Sequence, residues 1–134
     1  MLAKGIIEIM QVFEFATTEM VEIIPPLRVV TAGDELPSPV ELASLAADQM
    51  GISVEFLKFS DGRGFSQGRH LRAALPAQCP VVAGGQIIPD QADYLYRAGF
   101  THAVIAAADI GQWRRSLAAV ATRFQHMDGT PRTR

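Results

Sequence analysis

The sequence predicts a single α/β domain, residues 1–127, with a mostly parallel β-sheet. Four short apolar runs, typical of buried strands, alternate with four helix-length segments that carry capping residues or a terminating glycine or proline. Such alternation produces parallel strands joined by right-handed crossovers. A complete eight-unit barrel needs about 250 residues. The 134 residues therefore predict either a half-barrel-like sheet or an open doubly wound sheet.

An N-terminal β segment, within residues 1–26, precedes this series. Residues 6–15 are rich in β-branched and aromatic side chains and predict a strand, with a helix as the alternative. Residues 21–24 predict a short returning strand, which Pro25-Pro26 ends because proline lacks the amide that a strand pairing needs. We expect this segment to cover a sheet edge or to pair with a second copy in a homodimer.

The first βα unit begins with a strand at residues 27–31. Ser38, with Pro39 in the first helical position and Glu41 three residues after the serine, predicts a capping box. Gly51 predicts the end of this helix. Its expected apolar residues are Val40, Leu42, Leu45 and Ala46.

The second unit has a strand at residues 52–59 and a glycine-rich turn at residues 61–64. Either Asp61 or Ser66 can cap the following helix. Pro76 closes it, and its expected inward residues are Phe65, Leu71 and Leu75.

The last two units follow the same pattern. They predict strands at residues 80–83 and 102–106, and helices at residues 89–98 and from Asp109 to about residue 125. Gly99 ends the first of these helices. The expected apolar side of the second consists of Ile110, Trp113, Leu117, Val120, Ala121 and Phe124.

Composition and motifs exclude several classes of function. A net charge of −2 gives no general attraction to nucleic acid, and no segment suits a signal peptide or a membrane span. The one cysteine, Cys79, fits a reducing compartment, hence the cytoplasm. His70, His102 and His126 lack metal-site spacing, and no dinucleotide fingerprint is present, so we expect neither metal nor cofactor. Residues 128–134 predict a flexible tail.

The turn after the second strand of the series is the main candidate site. Glycines bring backbone amides close to a ligand at the start of a helix, where an anion is favoured, and arginine matches an oxyanion. The residues of this predicted anion site are Lys58, Asp61, Gly62, Arg63, Gly64, Ser66, Arg69 and Arg72. The alternative is a structural turn in which Arg63 and Arg69 pair with Asp61 or Glu55.

A second glycine turn follows the third strand of the series. Gly84 and Gly85, with Asp90 and Gln91 in the next helix, resemble the last quarter of phosphate-binding (β/α) barrels over about 25 residues. Tight turns without a ligand use the same glycines. We favour that interpretation, in which Asp90 suits the first helical turn electrostatically rather than acting in catalysis.

Residues 56–66, followed by Arg69, Leu71 and Arg72, resemble the signature of the bacterial domain of unknown function 934 family. The later block of Gly85, Asp90-Gln91, Arg97 and Gly99-Phe100 also resembles this family, and residues 34–35 match it loosely. The likeness spans about residues 27–125. It implies a link to sulfite reduction and sulfate assimilation, since genes of this family lie near those for sulfite reductase, with sulfite-reduction proteins as partners.

The sequence departs from the family pattern at three places. Residues 82–86 replace a segment with an arginine and an acid, Ala98 replaces a cysteine, and Leu57 replaces a proline. If the second turn forms part of an active site in the family, this chain is a divergent or inactive copy.

Three functions remain open from the sequence. The first is a cytoplasmic accessory protein that binds an oxyanion or a phosphate or sulfate ester. The second is an interaction module whose arginines form internal pairs. The third is an enzyme acting on a small phosphorylated or sulfated ligand, against which stands the lack of a paired base and nucleophile. No catalytic residue is predicted.

Overall fold

A computed structural model describes residues 8–127, with the side chains of residues 8–120. Its strands are β1 (Met10–Glu14), β2 (Glu19–Ile23), β3 (Arg28–Thr31), β4 (Ile52–Phe56), β5 (Val81–Gly85) and β6 (His102–Ala103). Its helices are α1 (Pro39–Asp48), α2 (Gly62–Ala74), α3 (Ala92–Ala98) and α4 (Ile110–Met127), with 3₁₀ turns at Pro89–Gln91 and Ala107–Asp109. The predicted tail at residues 128–134 and the side chains of Ala121 and Phe124 lie outside the described part.

The six strands form one sheet in the order β2-β1-β6-β5-β4-β3. β3 to β6 are parallel and lie in chain order, whereas β1 is antiparallel to both β2 and β6. A doubly wound sheet reverses its strand order part-way, so the half-barrel-like alternative is the one observed. The N-terminal hairpin of β1 and β2 covers the β6 edge of the parallel strands.

All four helices pack on one face of this sheet. Because side chains alternate along a strand, Ile52, Val54 and Phe56 of β4 point to the same face and are 0–1% exposed. The same cluster contains one or more side chains from every helix: Leu45, Leu71, Leu95 and Trp113. Burial of each such side chain contributes roughly 1.5–3 kcal/mol to folding.

Aromatic side chains join the hairpin to this core. Phe13 and Phe15 meet edge to face at 5.5 Å, and their rings lie 6.0 and 6.4 Å from the ring of Trp113 in α4. Edge-to-face pairs add about 0.5–1.5 kcal/mol beyond their area burial. The hairpin is therefore part of the domain core.

The opposite face of the sheet is also buried at its centre. Val82 is fully buried there and Ser53 is 5% exposed. The connection from β2 to β3 runs from one edge of the sheet to the other, and Ile23 and Ile24 line a cavity with Gly51 and Pro80. Gly51 and Pro80 precede β4 and β5, and the Leu27 amide donates to the Gly51 carbonyl at 3.0 Å, so this connection passes the amino ends of these strands.

The N-cap of α1 predicted at Ser38 is confirmed, but the predicted capping box is not completed, because the Glu41 side chain pairs with Arg28. Ser38 accepts a hydrogen bond from the Glu41 amide at 3.2 Å. The predicted end of this helix is wrong. Gln49, rather than Gly51, adopts the left-handed conformation that ends the helix, with φ 55°. Val40, one of the expected apolar residues of this helix, is 81% exposed, whereas Leu45 is buried.

Two predicted strands are shorter in the structure. Residues 57–59 leave β4 and form a turn, closed by a hydrogen bond from the Asp61 amide to the Lys58 carbonyl at 3.1 Å. β6 contains two residues instead of the five predicted: its last paired residue, Ala103, lies opposite Ala83, whereas β5 continues beside β4 to Gly85. Asp109 lies in a 3₁₀ turn before α4.

Candidate functional site

The turn after β4 lies at the carboxyl edge of the parallel strands and ends at Asp61. The Asp61 carboxylate accepts a hydrogen bond from the backbone amide of Arg63 at 3.1 Å, which caps α2. Of the two predicted capping residues, Asp61 is therefore the one used. Ser66 lies one turn into the helix and is exposed.

Arg63 is held by the same carboxylate at two points. Its Nε and Nη2 donate to the two oxygens of Asp61, each at 2.9 Å. This hydrogen bonding is the main cause that lowers the pKa of Asp61 and raises the pKa of Arg63. The Arg63 side chain remains 71% exposed, whereas that of Asp61 is 13% exposed. A guanidinium has five N–H donors, so three remain for solvent or a ligand.

Lys58 adds exposed positive charge to this turn, and Arg69 adds exposed positive charge farther along α2. Lys58 contributes to lowering the pKa of Asp61, and Arg69 makes a long contact of 3.5 Å with Ser66. Neither cation forms an ion pair within the described residues. Asp34, which helps to raise the pKa of Arg63, brings a second carboxylate near Arg63.

Arg72 is not part of this group. Its guanidinium donates to the carbonyl oxygens of Leu75 at 3.1 Å and Cys79 at 3.3 Å. These contacts satisfy carbonyl groups beyond the end of α2. Arg63 and Arg72 thus lie at opposite ends of the helix.

Gln67 is a residue of this region that the sequence reasoning missed. It is 7% exposed, accepts a hydrogen bond from the Gly33 amide at 3.1 Å and donates to the Asp34 carbonyl at 2.7 Å. The loop after β3 is thereby held beside Arg63, whose Cζ would lie only 2.6 Å from a Cβ at Gly33. A glutamine among inward positions of a helix is the signal that could have indicated this role.

The glycines of the second turn are explained by close packing of β5 on β4. A Cβ at Gly84 would lie 2.4 Å from Glu55 Oε2. Gly85 has φ +81°, and a Cβ there would lie 2.3 Å from the Phe56 carbonyl oxygen. Val82, at the position where the family has an arginine, is buried within β5. These contacts need no ligand to account for the glycines.

Asp90 and Gln91 have different surroundings. The Gln91 side chain accepts from the Ile88 amide at 3.3 Å and donates to the Phe59 carbonyl, so it joins the two turns. Asp90 instead lines a cavity of about 580 Å³ between the 3₁₀ turn and α4, together with Arg115. Gln91 thus supports the turn after β4, while Asp90 faces α4.

Metal and thiol chemistry find little support in the described part of the chain. The described side chains, those of residues 8–120, contain no cluster of three histidine, cysteine or acidic groups suited to a metal ion. Cys79 is fully buried, and burial raises the pKa of its thiol, so the reactive thiolate is disfavoured. None of the described helices has the length and apolar character needed to cross a bilayer.

The comparisons with known proteins give a family and no closer relative. No curated protein and no solved structure matches the sequence. A family model described as a bacterial protein of unknown function (DUF934) matches residues 29–133, which include both glycine turns and all four helices. The chain therefore belongs to this bacterial family, DUF934, the one that the turn after β4 resembles.

Proposed function

We propose that this protein is an accessory protein that binds a small oxyanion, or a phosphate or sulfate ester, at the turn after β4. The supporting observation is Arg63, which a largely buried Asp61 orients at two points while the guanidinium stays 71% exposed. An arginine already held in place loses little freedom on binding a ligand. Its remaining N–H donors match the geometry of an oxyanion.

The surroundings of Arg63 favour a negatively charged ligand. Lys58 is exposed on the turn before α2, and Arg69 is exposed within α2. At Gly62, the first residue of α2, a Cβ would meet no atom within 4 Å, so a ligand has open access there. Because Asp61 already caps the helix, the side chains rather than the capped amides would supply most contacts.

Sulfite and sulfate are the first ligands to test. The family resemblance implies a place beside cytoplasmic sulfite reduction, and both anions fit an arginine fork. Phosphate presents similar oxygens, so the chemistry of the turn does not separate these ligands. A panel of anions is therefore required.

The test is thermal unfolding with sulfate, sulfite, phosphate and adenosine phosphosulfate, each compared with sodium chloride at equal ionic strength. A ligand that binds only the folded state raises the melting temperature by mass action. We expect a specific rise for at least one anion and at least tenfold weaker binding for Arg63→Ala.

Arg97→Ala is the matched control for this test. Arg97 is also exposed and paired, through Nε, with a more buried acid, Asp93, at 2.6 Å. Its loss should leave anion affinity unchanged. A melting temperature that follows ionic strength alone, or an equal loss in both variants, would contradict the proposal.

Exposed apolar side chains favour a second candidate, an interaction module. Leu57 is 69% exposed and Phe59 is 51% exposed, in the same turn as the cations. The outer edges of β2 and β3 are also unpaired within the described residues, which is the usual setting for strand pairing between copies. A homodimer seen by light scattering, without any anion effect on melting, would favour this candidate.

A further inference from the structure

A second cavity lies at the amino edge of the parallel strands, opposite the turn after β4. Its volume is about 300 Å³, within the range of small-molecule sites. The turn after β1, the loop before β5, the start of β6 and helix α3 surround it. The lining residues that matter here are Glu14, Gln78, Tyr96, Thr101 and His102. We refer to it as the amino-edge cavity.

The carboxylate of Glu14 is oriented from two sides. Thr17 Oγ1 donates to Oε1 at 2.7 Å, and His102 Nε2 lies 3.5 Å from Oε2. A separation of 3.5 Å is longer than a good hydrogen bond. Oε2 therefore keeps capacity to accept a hydrogen bond from a ligand, and the 30% exposure of the side chain gives access.

His102 does not neutralise this carboxylate at neutral pH. The residue is 7% exposed, and burial lowers the pKa of its imidazole more than the nearby Glu14 raises it. Nδ1 lies 2.6 Å from Thr101 Oγ1. A neutral imidazole leaves Glu14 as a net negative charge at the cavity wall.

The contacts from Thr101 to His102 to Glu14 resemble the nucleophile, base and acid of a catalytic triad. The Thr101 hydroxyl, however, is not free to act as a nucleophile. Thr101 Oγ1 accepts from the Val81 amide at 2.9 Å and lies 3.2 Å from the Val81 carbonyl oxygen. The hydroxyl is thus engaged with the backbone of β5. The three residues form a polar wall rather than a reacting group.

Among the described residues, no lysine or arginine lines the amino-edge cavity. Arg72, near the loop before β5, donates to backbone carbonyls. Arg114, near the turn after β1, donates to the Thr18 carbonyl at 2.8 Å and to Glu19 at 2.7 Å. Glu14 is then the one fully charged group of this lining at neutral pH, which favours a cation.

We propose that the amino-edge cavity binds a small organic ammonium group with Glu14 as its counter-ion. The volume exceeds the need of a bare metal ion and accommodates an alkyl chain beside Tyr96 and Pro80. Phe15 stacks on the Tyr96 ring at 5.6 Å and holds it in place. An ammonium N–H would reach Glu14 Oε2, with the Gln78 amide oxygen as a second acceptor. This site is independent of the anion site proposed above.

The test is an NMR titration of the full ¹⁵N-labelled chain with ethylammonium chloride, against sodium chloride at equal ionic strength. We expect saturable shifts centred on Ala16, Thr101 and His102. Glu14→Gln keeps the shape and the Thr17 contact but removes the charge, and should weaken binding at least tenfold. Glu22→Gln removes an exposed carboxylate from the same hairpin and should leave the affinity unchanged.

A second variant guards against a folding defect in Glu14→Gln. Tyr96 is 46% exposed, so Tyr96→Leu should fold and bind ethylammonium several-fold more weakly. Shifts that follow ionic strength alone, equal affinity in Glu14→Gln and the parent chain, or equal losses in Glu14→Gln and Glu22→Gln would each overturn the proposal. Saturable shifts with sodium propionate in place of ethylammonium would do the same.

Discussion

The two edges of the parallel sheet are built in opposite ways. At the carboxyl edge, Lys58 lies on an exposed turn, and Arg63 is exposed in the first turn of α2, with Arg69 farther along the same helix. At the amino edge, Glu14 lines a cavity beside a buried His102. One edge therefore presents positive charge on an open surface, and the other presents negative charge within a concavity.

This difference shows how one small sheet can present two unlike surfaces. At the carboxyl edge, Lys58, Asp61 and Arg63 are neighbours in sequence, so a local motif describes them, although the Gln67 contacts to the loop after β3 are not local. The amino edge requires the hairpin to pair with β6, which brings Glu14 opposite His102. Changes confined to one edge should therefore leave the other unaffected, and the following predictions test this independence.

The largest expected effect on the free energy of unfolding is that of Gly85→Ala, at the carboxyl edge. The new methyl group would lie 2.3 Å from the Phe56 carbonyl oxygen at φ +81°, so we expect a loss of roughly 3 kcal/mol in the free energy of unfolding. Urea denaturation would measure it. Gly62→Ala, where no atom lies within 4 Å, should change the stability by less than about 1 kcal/mol.

If Gly85→Ala lowered the free energy of unfolding no more than Gly62→Ala does, the contact between β4 and β5 would not be rigid. The description of the carboxyl edge as a fixed surface would then fail. Ethylammonium binding at the amino edge should persist in both variants as long as they fold.

Gln67→Leu should lower the free energy of unfolding by an intermediate amount. The change leaves the Gly33 amide and the Asp34 carbonyl without their side-chain partner, at a cost of about 2 kcal/mol. Because that loop lies against Arg63, anion affinity at the turn should fall as well. Gln11→Leu, at an exposed position of β1, is the control and should stay within about 0.5 kcal/mol.

The smallest expected effect is a dependence of the free energy of unfolding on pH, which arises from His102 at the amino edge. Burial holds the pKa of His102 below its ordinary value, about 6.5. The unfolded chain then binds more protons than the folded one between these two pKa values, so the free energy of unfolding falls as pH drops below about 6.5. The stabilisation is complete above that pH and is lost as pH falls through the folded-state pKa.

Urea denaturation at about pH 7.5, 6.5 and 5.5 would detect this dependence. His102→Asn should remove most of the slope, while His70→Asn, at an exposed helical position, should retain it. An unchanged slope in His102→Asn would place the titrating group elsewhere in the molecule.

Most of the fold could be predicted because its signals are local. Alternating apolar strands and capped helices indicated the four βα units, and Ser38 and Asp61 were recognised as capping residues. Periodicity cannot show where a strand stops, since this depends on its neighbours. β6 stops at Ala103 although β5 continues to Gly85, and α1 ends at the left-handed Gln49 rather than at Gly51.

The candidate site was predictable in composition but not in arrangement. Residue spacing placed Arg69 and Arg72 on one helix, yet it could not show that Arg72 turns to the carbonyls beyond the end of α2. The pairing of Arg63 with Asp61 was one of two alternatives that the sequence left open. Gln67 and Glu14 were missed because their partners come from distant parts of the chain.

The pairing of the hairpin with β6 also has a consequence for the order of folding. The contact between Phe13 and Ala103 joins two segments that are separated in sequence by nearly the whole βα series. Closing so long a loop early in folding costs conformational entropy. The four parallel units can associate through neighbouring contacts first. The hairpin would then dock in a late step, bringing Phe13 and Phe15 to Trp113 and completing the amino-edge cavity only in the final native state.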